Sequence, residues 1–256
     1  MFNINVLASN SKGNCIYVDT GDCKFLLDVG LSFTKTKKLL GNLNVVLSDI
    51  DYIFVTHEHG DHIKALKQII DVYSITPILS KGTLGDLDIS LNNVIFMSDK
   101  DEIDLGEIKV FARDVIHDAR EPLCFSIQNS MGEKLLYLTD CGSAIDIEFK
   151  NHDVYIIEAN YDEDILYENF SNGSLHRVRY NRTLNGMGHL SLKDTIDFLD
   201  RNIGIKTKQI ILSHLSSDNS NKKQFKNQAI DDLLFFNIDI ADTGFNINVG
   251  DNCNPF

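Results

Sequence analysis

Residues 52–62 read Tyr52-Ile53-Phe54-Val55-Thr56-His57-Glu58-His59-Gly60-Asp61-His62. An aromatic and β-branched run enters three imidazoles and a free carboxylate, so a buried strand ends in an open loop whose backbone is held on one side. Neutral imidazole and carboxylate are ligands for Zn²⁺ and Mn²⁺. In extended backbone His57 and His59 point to the same side and can reach one ion, while Asp61 and His62 can serve a second. Gly60 permits the turn between the pairs. The ordinary alternative is a surface loop that happens to hold three of the chain's eight histidines, and their clustering argues against it. Downstream, Ile63, Leu66, Ile70 and Tyr73 recur at helical spacing, which predicts an amphipathic helix from His62 onward.

Working outward, the pattern from Asn3 to Asp28 alternates and carries turn residues at Gly13-Asn14 and Thr20-Gly21-Asp22, predicting three short strands in a meander. Gly13 is read as a turn residue with positive φ, in a segment, Ser9 to Asn14, whose amides could also face an anion. A helix over about Thr34 to Leu40 follows. Strands are expected at Asn93 to Phe96, Ile108 to Arg113, Leu123 to Gln128, Lys134 to Thr139, Val154 to Ile157 and Gln209 to Leu212. Leu192, Ile196, Leu199 and Ile203 mark another helix. Residues 160–188 are polar without clear periodicity and read as an insertion with one helical turn. Strand blocks followed by helices in both halves predict an α/β chain with two packed sheets and helices outside, as one domain over 1–256.

With 43% hydrophobic and 24% charged residues, 3 Pro and 16 Gly in 256, disorder and low complexity are excluded. The net charge of −13 repels anionic membranes and phosphodiester polymers, so any nucleic-acid contact must be local. Cys15, Cys23, Cys124, Cys141 and Cys253 are odd in number and form no CxxC pair, which suits a reducing compartment. No basic-apolar leader and no membrane-length apolar run is visible, so a cytoplasmic protein is expected.

The HxHxDH pattern after a strand resembles the metallo-β-lactamase superfamily signature. Its remaining motifs follow in order: His117 after the strand Ile108 to Arg113, Asp140 in Leu138-Thr139-Asp140-Cys141-Gly142, and His214 in Leu212-Ser213-His214-Leu215-Ser216. The resemblance implies an αββα sandwich. It also implies two divalent ions, Zn or Mn, held by His57, His59, Asp61, His62, His117, Asp140 and His214, with Asp140 shared and Asp61 also taking part in catalysis. More narrowly, the segments 7–14, 117–122, 157–162, Gly188-His189-Leu190-Ser191 and 212–216 resemble the YycJ branch, also called WalJ or VicX. That branch implies a metal-dependent phosphodiesterase and DNA exonuclease.

His189 stands outside the ligand set, just before a helix, and resembles the histidine that approaches the scissile phosphate in superfamily phosphodiesterases. A solvent-facing histidine in a capping loop is the alternative. Glu158 is either an acceptor for a ligand imidazole or a carboxylate at a strand end. Cys141 reads as a small core residue, and His152 and His176 as surface residues. Arg177, Arg179 and Arg182 cluster in an otherwise acidic chain, where they either grip phosphate or form a solvated basic face.

The chemistry expected is two-metal phosphodiester hydrolysis by hydroxide, with His189 assisting the departing oxygen. The substrate is nucleic acid or a nucleotide. DNA is the first reading, and cyclic mononucleotides of the kind degraded by related phage enzymes are the alternative, which the acidic charge suits. A thioester or lactam hydrolase is disfavoured because Asp140 stands where antibiotic-hydrolysing members carry Cys. A non-enzymatic metal-binding protein is disfavoured by the complete ligand set. No membrane partner is expected, and a homodimer is compatible with the sequence.

Overall fold

A computed structural model describes residues 1–85, 87 and 93–250. Cys253 lies outside the described residues. The chain divides into two compact units, the first comprising Met1–Asp114, Ala119–Glu133 and Asp242–Gly250, the second Val115–Asp118 and Lys134–Ala241.

In the first unit the alternating opening forms β1 (Phe2–Asn10), β2 (Gly13–Asp19) and β3 (Lys24–Leu27), an antiparallel meander with Asn10 opposite Gly13 and Ile16 opposite Leu27. The turns are closed by short polar side chains: Asn10 accepts from Lys12 N at 2.9 Å and the Thr20 hydroxyl from Cys23 N at 3.0 Å. Helix α1 (Phe33–Asn42) is capped by Ser32, and β4 (Tyr52–Phe54) then runs parallel to β3. Next come α2 (Gly60–Ile63), α3 (Leu66–Val72), β5 (Thr76–Leu79), α4 (Lys81–Leu84) and β6 (Ile95–Phe96), with β4, β5 and β6 parallel. The single helix predicted from His62 is divided at Ala65, whose N–H is taken by the Val29 carbonyl at 2.9 Å. An antiparallel set, β7 (Glu102–Asp104), β8 (Ile108–Asp114) and β9 (Leu123–Asn129), completes this part.

Alternation along β3 and β4 explains the layering. Leu26 and Ile53 point to the helices, where they join Leu40 of α1 and Leu66 and Ile69 of α3 in one core cluster. Phe25 and Phe54 point the other way, their rings 5.2 Å apart, and Phe54 meets Phe125 of β9 at 5.3 Å. Each such fully buried side chain contributes roughly 1.5–3 kcal/mol.

The second unit contains β10 (Lys134–Leu138), β11 (Val154–Glu158), α5 (Glu163–Ser171), α6 (Arg177–Leu184), α7 (Leu192–Asn202), β12 (Gln209–Ser213), α8 (Lys222–Asp232) and β13 (Ile238–Ile240). These four strands are parallel neighbours in register, Leu138 beside Ile157, Glu158 beside Ser213 and Leu212 beside Ile240. Burial on both faces is why β11 reads as a continuous apolar run. With β14 (Asn246–Val249) pairing antiparallel to β1, the described strands make two mixed seven-stranded sheets flanked by helices, the αββα class expected.

Two expectations are corrected here. The segment 160–188 holds two helices rather than one turn. Asp162 caps α5 by accepting from Asp164 N and Ile165 N at 3.0 Å each, and Phe170 stacks on Tyr180 of α6 at 4.2 Å. Their buried partners Tyr161, Leu166 and Leu175 are spaced across two short helices and a turn, so no single period shows. His152 is buried rather than on the surface, between Phe149 and Tyr155 at ring distances of 5.6 and 5.7 Å. Burial lowers its pKa to about 4. His176 is exposed and caps α6. No helix among the described residues is long and apolar enough to cross a membrane.

Candidate functional site

In the first unit a cluster of candidate ligands stands where β3 and β4 end. Asp28 follows β3 in the left-handed region, φ 55°, and is completely buried. Its Oδ1 accepts from Thr56 N at 2.9 Å and from the Thr56 hydroxyl at 3.1 Å, and its Oδ2 takes Nδ1–H of His62 at 2.8 Å. Because the Thr56 hydroxyl donates to Asp28, the same oxygen can accept Nδ1–H of His57 at 3.0 Å. Both imidazoles are thereby fixed with Nδ1 as donor and Nε2 as the lone-pair nitrogen. Asn14 donates from Nδ2 to Nε2 of His62 at 3.1 Å.

The His57 ring lies 4.6 Å from that of His59 and 4.1 Å from that of His62, and Asp61 Oδ2 is 3.7 Å from His62 Nε2. His57, His59, Asp61 and His62 are thus neighbours in space as in sequence. Gly60 simply opens α2 and is not among the residues with positive φ. The close approach falls at Gly30 instead, where a Cβ would lie 1.5 Å from the Asp61 carbonyl oxygen. Gly13, at φ 159°, is nearly extended, and a Cβ there would meet the Gly30 carbonyl oxygen at 2.9 Å. Crowding rather than a left-handed turn accounts for that glycine.

In the second unit the residues gather at the C-terminal edge of the parallel strands, the usual place for ligand sites in such sheets. Asp140 (φ 46°) and His214 (φ 52°) follow β10 and β12 in left-handed conformation, and Glu158 ends β11. Nδ1 of His214 lies 2.7 Å from Asp140 Oδ1 and 2.9 Å from Glu158 Oε1. Nδ1 of His189 lies 2.7 Å from Glu158 Oε1 and 3.2 Å from Asp140 Oδ1. The other Glu158 oxygen accepts from Cys141 N at 2.9 Å and Leu190 N at 3.3 Å. Asp140, Glu158, His189 and His214 offer ligand atoms that all lie within 4.8 Å of one another.

Burial works against charge on both His189 and Glu158, but their attraction and shared hydrogen bonds win. The imidazole is held up at about 9 and the carboxyl below its ordinary range. His117 Nδ1 donates to the Gly188 carbonyl at 2.9 Å, and burial lowers its pKa. Cys141 is buried with its thiol toward the Ser143 carbonyl, and burial near Glu158 pushes it up to about 12. The donors of both units are therefore imidazoles and carboxylates, a set that fits Zn²⁺ or Mn²⁺.

Arg177 and Arg179 are exposed on α6, while Arg182 Nη2 meets Asp118 Oδ2 at 2.6 Å. Sequence reasoning missed Asp28, Thr56 and Asn14, which orient the histidines. Asp28, directly after the apolar Phe25-Leu26-Leu27, carried the available signal.

Residues 24–215 match the beta-lactamase superfamily domain. Exodeoxyribonuclease WalJ of Streptococcus pneumoniae serotype 2 is 33% identical over 234 residues, 87% of this chain and 84% of the relative. Exodeoxyribonuclease YycJ of Bacillus anthracis is 32% identical over 238 residues, 90% and 88% of the two chains. Among solved structures, Zn²⁺-bound PqqB from Methylobacterium extorquens has TM-score 0.73 at 14% identity, covering 96% of this chain and 99% of its own. Human tRNase Z, short form, has TM-score 0.63 at 16% identity, covering 97% and 99%. At such identities these two structures show a shared fold. With the sheets, the buried His/Asp clusters and the domain match in agreement, the chain belongs to the metallo-β-lactamase superfamily of hydrolases, related to WalJ and YycJ.

Proposed function

We propose that this protein is a metal-dependent phosphodiesterase acting on nucleic acid or nucleotides, with exonucleolytic degradation of DNA as the first reading. The observation that carries it is His189, an imidazole with 24% of its side chain exposed, hung by Nδ1 from a fully buried Glu158 beside Asp140. The relatives named exodeoxyribonucleases support DNA as the substrate.

In this reading, as the superfamily resemblance implies, His57, His59 and His117 would hold one ion and Asp61, His62 and His214 a second, with Asp140 shared. When bound, the ions lower the pKa of water toward about 7 and neutralise charge on phosphoryl oxygens. Asp28 and Thr56 keep Nε2 of His62 and His57 as the lone-pair nitrogen, and Asn14, which donates to Nε2 of His62, would have to give way to an ion there. Glu158 fixes the His189 ring so that Nε2–H is the edge presented to a departing oxygen. Arg177 and Arg179 meet a substrate phosphate, whereas Arg182 would have to leave Asp118 to join them. The domain match runs through both compact units, which supports 1–256 acting as a single functional domain.

The test incubates metal-loaded protein in parallel with 5′-phosphorylated single-stranded DNA, duplex DNA, cyclic AMP, cyclic CMP and cyclic UMP, and separates the products. Mononucleotides released from DNA ends are expected. Hydrolysis of cyclic mononucleotides alone would replace DNA as the substrate, and turnover of none of the five would overturn the phosphodiesterase reading.

A further inference from the structure

Residues 169–193 contain no Asp or Glu, although the chain carries 37 of them in 256 residues, and they hold Arg177, Arg179, Arg182 and Lys193. In a chain of net charge −13 this is a basic island, a local seat for an anion. Its centre is α6, which buries none of its own side chains. The helix is held by the stack of Tyr180 on Phe170 at 4.2 Å, so the burial of an apolar stripe does not account for its sequence.

The last turn of α6 packs against the residue before His189, since a Cβ at Gly188 would come within 2.9 Å of the Arg182 carbonyl oxygen and 3.5 Å of Thr183 Cα. Arg182 Nη2 meets Asp118 Oδ2 at 2.6 Å, so the face that carries Arg182 is turned to the loop of His117 and Asp118. Residues three apart share a helix face, which puts Arg179 on that same face, about 4.5 Å of axis nearer the start of the helix. Arg177 opens the helix about 160° around it from Arg179. Both are exposed, and neither is paired with a carboxylate among the described residues.

A cyclic mononucleotide carries a single phosphate. With that phosphate at His189, it has no second anion to offer a cation one turn along α6. A strand repeats its phosphate at every nucleotide, about each 3.4 Å of axis in a duplex, and so brings a neighbour to the helix. We propose that α6 is the element that sets substrate length: Arg179 holds the phosphate next to the one at His189, and Arg177, on the other side of the helix, meets one further along. This rests on the phosphodiesterase reading above and deepens it by deciding between a strand and a mononucleotide. Arg182 stays with Asp118 and fixes the face on which Arg179 stands.

The test measures binding of the intact, metal-loaded chain to phosphorothioate DNA single strands of two, four and eight nucleotides and to a cyclic mononucleotide, over a series of salt concentrations. Arg179→Gln should weaken binding of the four- and eight-nucleotide strands several-fold. It should also make the slope of log Kd against log salt shallower by about 0.7, the value of one phosphate contact on a single strand. Arg177→Gln should do so only with eight nucleotides. Arg179→Lys keeps the charge and should restore the slope. An equal loss on the cyclic mononucleotide, or an unchanged slope with every strand, would overturn the proposal. So would an Arg179→Gln chain that binds DNA normally but no longer binds phosphatidylglycerol vesicles, which would assign the face to a membrane. A wild-type chain whose variants respond in this way but which cleaves no DNA would reject the nuclease reading and leave the role of α6 standing. Cleavage of DNA with neither variant altering length dependence or slope would do the reverse.

Discussion

The turn His57–His62 and the strand-end cluster of Asp140, Glu158, His189 and His214 both set imidazoles against buried carboxylates, but with opposite balances. In the turn Asp28 alone takes the Nδ1 protons, that of His62 directly and that of His57 through Thr56, while the second carboxylate, Asp61, stands off at 3.7 Å from His62 Nε2. Each ring keeps a proton on Nδ1 and offers a lone pair. In the strand-end cluster two carboxylates crowd the Nδ1 atoms of two imidazoles, and the surplus of negative charge holds a proton on His189. The first arrangement is suited to offering neutral ligands and the second to holding positive charge, so a buried Asp–His contact says little until the carboxylates around it are counted.

The sharpest way to break this contrast is to remove one imidazole from each half. His57→Ala should lose metal, since a direct ligand contributes to affinity. His189→Ala should retain both ions, near two per chain by elemental analysis, yet lower kcat by about 10²–10⁴. The loss should shrink for substrates with a good leaving group such as p-nitrophenolate. Metal loss in His189→Ala would move that residue into the ligand set and erase the distinction.

Another buried imidazole sharpens the contrast away from the candidate ligands. His152 bonds through Nδ1 to the Lys150 carbonyl, and its pKa falls to about 4 where that of His189 rises. The unfolded chain takes up this proton near pH 6.5 and the folded chain only near 4. The stability that neutral His152 confers is therefore complete above about 6.5 and lost on acidification toward 4, by up to about 3 kcal/mol. Denaturant titrations across that window should show this loss, and His152→Gln should flatten it.

Asp28→Asn should weaken metal binding about 10–100-fold while the protein stays folded, because the amide cannot take both the Thr56 and His62 donors as an anion does. Glu158→Gln should instead lower turnover with a smaller change in affinity. Equal losses of affinity in both would show that the halves are built alike. The smallest effect belongs to α6, where neutralising Arg177 and Arg179 together should raise KM several-fold with melting unchanged, both being exposed. An unchanged KM would assign them to the solvated surface.

The same contrast explains what could be read in the chain. The turn was legible because its four chemical residues occupy adjacent positions after an apolar strand, and local pattern suffices for that. The other cluster is assembled from the ends of β10, β11 and β12 and a loop, so Asp140, Glu158, His189 and His214 carry no local mark. Only their order relative to a known superfamily singled them out. Alternation along β3 and β4 and the apolar run of β11 placed the sheets, whereas α5 and α6 escaped because their stability comes from Phe170, Tyr180 and a shared miniature core rather than from one amphipathic period. His152 was misplaced for a related reason: a histidine between polar neighbours gives no sign that Phe149 and Tyr155 close over it.

The left-handed backbone at Asp28, Asp140 and His214 restricts how these positions can be altered. Asp, Asn and His are the side chains, after glycine, that enter that region most readily, and other residues meet a cost of roughly 1–2 kcal/mol there. The proposed chemistry, in which Asp140 and His214 are ligands and Asp28 backs His62, and the chain geometry therefore draw on the same short alphabet at these three corners. Exchanging one ligand type for another, carboxylate for thiolate at position 140 for instance, would add this backbone cost to whatever the ion gains or loses with its new donor. A change of metal preference there is therefore taxed by the main chain as well as by coordination.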